Sequence, residues 1–217
     1  MVRRTALTRD RVLEAACVVA DRGGLHALSM RSVAKELGVE AMSLYHHVRN
    51  KDDLLDGLAD WAFAEIEPVD VDRPWREAMT DRAHASRRVT AAHPWTLGML
   101  ESRRTPGRRV LEYHDSVLGC LRRSGFPIRL AGHAFSVLDA YVFGFVLTEV
   151  NLPLQPADDI DEVIEDMAIP LTEYPYMAEF IGEVVGAGDY MYGDEFDIGL
   201  GMILDQLEVR LAQARIG

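Results

Sequence analysis

"LGVEAMSLYHHVRNKDDLL", residues 37–55, closes one helical pattern at Gly38, begins a second within three residues and opens a third at Asn50. On a 3.6-residue period Leu44 and Val48 share one face, so Met42 and His46 project from the opposite one, with Ser43 and Tyr45 on the flanks. That outward set reads as a contact surface. The adjacent pair His46 and His47 cannot face one ion from a helix, where ligand pairs need three- or four-residue spacing, so no metal site is expected here. Asn50 is placed to cap the next helix, with Asp52 and Asp53 in its first turn, where the helix dipole favours acids.

Upstream, Thr8 is a candidate N-cap, and Val12, Ala16 and Val19 with Leu13, Cys17 and Ala20 make two adjacent apolar rows that end at Gly23-Gly24. Ser29 caps a second helix in which Met30, Val33, Ala34 and Leu37 face inward while Arg31 and Lys35 lie outside, until Gly38 stops it. A helix, a glycine turn and a further short helix form the helix-turn-helix pattern.

Charge divides along the chain. Residues 1–51 hold nine Lys and Arg against five acids, a balance of +4, so the remainder carries −16 of the net −12. Only the first part suits a polyanion, while the acidic remainder is repelled and held outward. Cys17 and Cys120 are far apart within apolar patterns, as expected of small buried residues in a reducing compartment. The opening "MVRRTALTRDRVLEAA" lacks the apolar run of a signal peptide, so a cytoplasmic location is expected. The stretch 130–148, "LAGHAFSVLDAYVFGFVLT", is long enough to span a bilayer, but Asp139 near its centre would cost roughly 2.5–3.5 kcal/mol there. A buried helix of a soluble protein or a dimer interface is the better reading, with no membrane partner.

Breakers divide the rest into helices. Arg73-Pro74 opens one that runs to about His93, Pro94 begins another, and Pro106-Gly107 and Gly125-Phe126-Pro127 bracket the next. An acidic run, Asp158 to Asp166, follows the break at 151–156 and reads as a solvated face. Leu138, Val142, Phe145 and Val146 form one apolar stripe, and Phe196, Leu200, Ile203, Leu204, Leu207 and Leu211 another; each is either core or an interface. No catalytic pattern is present: there is no Gly-x-Ser-x-Gly elbow, and Gly186-Ala187-Gly188 lacks the third glycine of a dinucleotide loop.

The stretch 8–60, above all "LGVEAMSLYHHVRNKDDLLDGLA", resembles the TetR-type transcriptional regulators and within them the tetracycline repressor branch; Trp75, "RRSGF" at 122–126, the helix near 128–150 and "FDIGLGMILDQLE" at 196–208 extend the likeness. The resemblance implies an all-α fold: a three-helix DNA-binding head over residues 1–52, a connecting helix over 51–66, and a dimerising, ligand-binding body over 67–217. It implies that Arg31, Ala41, Met42, Ser43 and His46 reach base edges of a double-stranded DNA operator and that Tyr45, His47 and Lys51 contact phosphates. Those residue types suit the roles, since hydroxyl, imidazole and ammonium groups donate to phosphate and an arginine binds guanine in two places. Ala41 and Met42 replace a more polar pair, so the operator is expected to differ.

In the body the resemblance places a small-molecule effector among Trp95, Met99, Tyr113, His114, Val117, Phe135, Leu138, Asp139 and Tyr141, and makes the two apolar stripes the homodimer interface. Glu67, Arg82 and Glu101 stand where the tetracycline branch carries its drug- and metal-binding side chains, so magnesium-bound tetracycline is not the expected effector, and no cofactor is expected. Three classes are weighed: a ligand-responsive repressor, a constitutive DNA-binding protein without effector, and an enzyme with a helical head. The last needs a nucleophile and base that the sequence does not show.

Overall fold

A computed structural model describes residues 6–99, 107–152, 170–187 and 190–216, which form helices and short turns with no strand among the described residues. The acidic run 158–166 and Glu101 lie outside the described residues.

The capping residues work as the sequence predicts. Thr8 Oγ1 accepts the Arg11 backbone N–H at 3.3 Å and starts α1 (Arg9–Ala27). The glycine pair kinks α1 without ending it: Gly24 adopts a left-handed φ of 67°, and one more turn runs to Ala27. Ser29 and Ser32 cap each other's backbone N–H at 3.1 and 2.8 Å to open α2 (Met30–Leu37). Gly38 (φ 65°) closes it in the left-handed region, which glycine enters without steric cost, and Val39 N–H returns to the Ala34 carbonyl at 3.0 Å. The regular part of α3 is one turn, Ala41–Leu44, after which His47 N–H reaches back three residues to the Leu44 carbonyl (2.8 Å). Asn50 Oδ1 accepts the Asp53 N–H at 2.8 Å at the start of α4 (Lys51–Ala64).

Two cores result. Val12, Ala16, Val33, Leu44, Val48, Leu54 and Leu58 fill the head. α4 leaves it: Ala62 still belongs to the head core, while Phe63 and, just beyond the helix, Ile66 enter the body core. Among the described residues the body's helices are α5 (Trp75–Ala92), α6 (Arg108–Arg123), α7 (Ile128–Glu149), α8 (Pro175–Glu183) and α9 (Glu195–Ala214). α7 packs on α5, α6 and α9, while α6 also packs on α4. The helix expected from Pro94 is only a 3-10 turn, Pro94–Thr96. Although α7 is long and apolar enough to cross a membrane, Ala131, Ala134, Leu138, Val142, Phe145 and Val146 are buried against its own chain.

That packing corrects the expected interface residues. Leu138, Val142, Phe145, Phe196, Leu200, Leu204, Leu207 and Leu211 lie in the body core and Val146 is fully buried, so these face their own chain, while Ile203 packs against that core and is half-buried. The periodicity located the buried face correctly, but that face meets the same chain. The large apolar residues exposed on these helices are Ile128, Val137 and Leu147 on α7 and Ile198, Met202 and Val209 on α9.

Candidate DNA-binding surface and effector pocket

The head presents one outward surface. Leu44 and Val48 are buried, which turns Met42 (73% exposed), Tyr45 and His46 to solvent, with Ala41, Ser43 and His47 half-buried beside them. Arg31 and Lys51 are exposed. A hinge of charge, which periodicity did not reveal, holds this surface to the scaffold. Arg9 donates to the His47 carbonyl at 2.9 Å and to Asp53 Oδ1 at 3.1 Å, and Asp53 Oδ2 accepts the Arg49 backbone N–H at 2.8 Å. Hydrogen bonds from Arg9 and then Arg49 hold the Asp53 carboxyl well below the usual carboxylate range. α1 is thereby tied to the end of the recognition turn, and an anchored reading element is what base contacts require.

In the body the expected pocket residues separate into three places. Tyr113, His114 and Phe135 form one aromatic group: His114 meets Phe135 at 4.9 Å between ring centroids, and Phe63 of α4 meets Tyr113 at 5.2 Å. Val117 and Leu138 are fully buried in the same core. Asp139 pairs with Arg82, a buried guanidinium on the inner stripe of α5 that lies over the rings of Tyr113 (5.2 Å) and Phe135 (5.4 Å). Tyr113 shares a 3.0 Å hydrogen bond with Ser86. Burial keeps the His114 pKa below its ordinary value, so its ring is neutral at pH 7.

Tyr141 belongs elsewhere, since its hydroxyl donates to the Phe196 carbonyl at 2.9 Å and its ring stacks on Phe196. Gly199 makes that approach possible: a Cβ there would lie 2.4 Å from the Tyr141 oxygen. Trp95 and Met99 are also displaced from the expected pocket, because both lie in the head core. Trp95 Nε1 donates to Asp21 on α1 at 2.6 Å, and His93 Nδ1 lies 2.8 Å from the same oxygen. The turn after α5 therefore forms a head-to-body junction.

A void of about 20 Å³ remains between Phe63, Ile66, Ser86, Val89 and Tyr113. A cleft of about 600 Å³ lies outside, lined by Glu67, Val69, Arg73, Asp81, Arg82 and Arg88 among others. Arg82 thus separates the cleft from the aromatic group. From the sequence, Arg82 stood only as a departure from the tetracycline branch and not among the effector residues, although it sits on the row Ala78, Met79, Arg82, Ala83, Ser86 and Val89, where a charged residue among buried neighbours signals a partner.

A basic helix-turn-helix head with outward polar and apolar side chains, joined by one helix to a helical body with a polar group at its centre, is the build of a DNA-binding regulator rather than an enzyme. Residues 12–58 match the bacterial regulatory proteins of the tetR family, and residues 67–211 match the tetracyclin repressor-like C-terminal domain. The chain belongs to the tetR family of bacterial regulatory proteins. It is 36% identical to the HTH-type transcriptional repressor DrrR1 of Streptomyces coeruleorubidus, over 98% of this chain and 81% of that protein. It is 31% identical to the class A tetracycline repressor protein from transposon 1721 in Escherichia coli, over 67% of this chain and 68% of that protein. ActR from Streptomyces coelicolor has a similar fold: its apo crystal structure aligns with a TM-score of 0.76 at 28% identity over 97% of this chain and 99% of that one. The complex of ActR with actinorhodin aligns at 0.74 and 27% identity over 94% and 96%.

Proposed function

We propose that this protein is a homodimeric transcriptional repressor that binds a palindromic operator and is released from it by a small, largely apolar or aromatic effector. The observation that carries the reading is the anchored surface of Met42, Tyr45 and His46, flanked by Arg31 and Lys51, on a head whose own core is complete without them. Arg31, Ala41, Met42, Ser43 and His46 are assigned to base edges, Tyr45, His47 and Lys51 to phosphates. A two-fold dimer supplies two such surfaces to half-sites about one DNA turn apart. The outer faces of α7 and α9, carrying Val137, Leu147, Ile198, Met202 and Val209, are the surfaces a second copy would cover. α8 supports this reading: it has no buried residue, and it exposes Tyr176, Met177 and Phe180.

The effector site is assigned to the region between the 600 Å³ cleft and the aromatic group of Tyr113, His114 and Phe135, with Arg82 and Asp139 as its polar pair. The cleft has the volume of a ligand site, and the ligand complexes of ActR support an organic effector bound in the body. Magnesium-bound tetracycline does not suit it. Arg82 is committed to Asp139, and Glu67 lines the open cleft, so neither offers that drug a neutral hydrogen-bonding group.

Selection of bound genomic fragments followed by footprinting tests the DNA assignment. Tyr45→Ala and Lys51→Ala should weaken binding to all duplexes, and Lys51→Ala, which removes a cation, should also reduce the salt slope by about 1. Met42→Ala and His46→Ala should change which sequence is preferred. If all four bind every duplex as the parent does, the surface is misassigned. Titration of the operator complex with aromatic and lipophilic compounds, beside tetracycline with magnesium, tests the effector class; release by the latter at submicromolar concentration refutes its exclusion.

A further inference from the structure

Three groups with metal-binding chemistry meet at the head-to-body junction. Cys17 and Asp21 are four residues apart on α1 and so share a face, and His93 ends α5 on the body side. Cys17 Sγ lies 3.5 Å from Asp21 Oδ2 and 3.7 Å from His93 Nδ1, and His93 Nδ1 lies 2.8 Å from Asp21 Oδ1. We infer that Cys17, Asp21 and His93 form a zinc-class transition-metal site that clamps the head to the body. This goes beyond the DNA and effector reading and does not depend on it.

Geometry supports the assignment. Tetrahedral zinc holds sulfur at about 2.3 Å and nitrogen or oxygen at about 2.0–2.1 Å, which places ligand atoms about 3.3–3.6 Å apart. The two sulfur edges, to Asp21 Oδ2 and to His93 Nδ1, are near those lengths, the 2.8 Å contact of His93 is with the other carboxylate oxygen, Oδ1, and one ligand atom from each residue lies within 4.8 Å of the other two. The His93 ring is held in position by an edge contact with Trp61 at 5.2 Å between centroids. Trp95 Nε1, donating to Asp21 Oδ1 at 2.6 Å, orients the carboxylate from behind, as supporting hydrogen bonds do around metal ligands. Asp21 and His93 are partly exposed while Cys17 is buried, so an ion can reach the thiol through them.

The charges agree. A thiolate and a carboxylate together neutralise a divalent cation with the imidazole neutral. Water completes the tetrahedron at the open side of Asp21 and His93. Binding forms the metal–sulfur bond and releases the Cys17 proton to solvent. A donor set containing thiolate and imidazole selects zinc or cobalt over magnesium or calcium.

The test is a cobalt(II) titration of the full chain in the absence of DNA, read by absorption. One ion per chain should produce the thiolate-to-cobalt charge-transfer band. Zinc should displace it and magnesium should not. Cys17→Ser should abolish the band, His93→Gln should weaken cobalt affinity at least about tenfold, and Cys120→Ser should leave both unchanged. Zinc should also raise the melting temperature of the parent and of Cys120→Ser by several degrees but not that of Cys17→Ser. Far-ultraviolet circular dichroism establishes that each variant is folded, and His93→Gln gives the ligand test if Cys17→Ser is not. No charge-transfer band in the parent, or an undiminished one in Cys17→Ser, overturns the site. Neither result bears on operator binding.

Discussion

Asp139→Asn should destabilise the protein far more than a neutral, equal-sized substitution normally does. Arg82 has a side chain 2% exposed, and among the described residues its Nε meets no hydrogen-bond acceptor and Asp139, 19% exposed, is its one carboxylate partner. Removing one member of a buried pair leaves an uncompensated charge and costs about 3–5 kcal/mol. The partial exposure of Asp139 lets water in, and the rings of Tyr113 and Phe135 retain about 1 kcal/mol of attraction for the guanidinium, which favours the lower end, about 3 kcal/mol. At about 2–4 °C per kcal/mol for a chain of this length, the melting temperature should fall by about 6–12 °C. Urea unfolding at pH 7 with both proteins at one protomer concentration measures the difference, since the stability of the proposed dimer depends on concentration. The double variant Arg82→Met with Asp139→Leu removes both charges and should return to within about 1 kcal/mol of the parent. If Asp139→Asn costs less than about 1 kcal/mol at unchanged urea slope, the pair does not hold the body together and the argument fails.

Asp53 is charged more readily in the folded head than in the unfolded chain, so its contribution is complete above the ordinary carboxylate range and is lost as pH falls from about 4 downward. Asp53→Asn should flatten that acid limb in urea unfolding at stepped pH and cost about 1.5–3 kcal/mol at neutrality. On α9 the two faces should respond differently: Met202→Glu with Val209→Glu should give a folded monomer by equilibrium sedimentation, whereas Leu204→Glu should unfold the chain, since Met202 is 67% and Leu204 3% exposed. Gly38→Ala meets no neighbouring atom, so its cost is that of the left-handed backbone alone, about 1 kcal/mol in thermal melting of the head.

Local chemistry was sufficient for the head. Thr8, Ser29 and Asn50 cap because their side-chain oxygens reach N–H groups three residues on, and Gly38 turns because no Cβ obstructs it. Leu44 and Val48 point inward because apolar residues four apart share a helix face, and that alone fixed which side Met42 and His46 present. The division of charge between head and body is a property of composition by segment and needs no coordinates.

The tertiary structure decided what each buried face meets. Periodicity assigns Leu138 and Leu204 to stripes, but whether a stripe covers its own chain or a partner depends on where the other helices lie, and both turned out to be core. The family resemblance placed Trp95 and Met99 in the effector pocket of the body, yet the turn at Pro94 carries them into the head core. Arg82 and Asp139 are 57 residues apart, and His93 is 72 from Asp21; no spacing rule joins such pairs. The i, i+4 spacing of Cys17 and Asp21 was visible in the sequence, but a third ligand is needed before it has chemical meaning. Interactions within one or two helical turns are written in local order, whereas a buried ion pair or a ligand set exists only once packing has brought distant segments within a few ångströms.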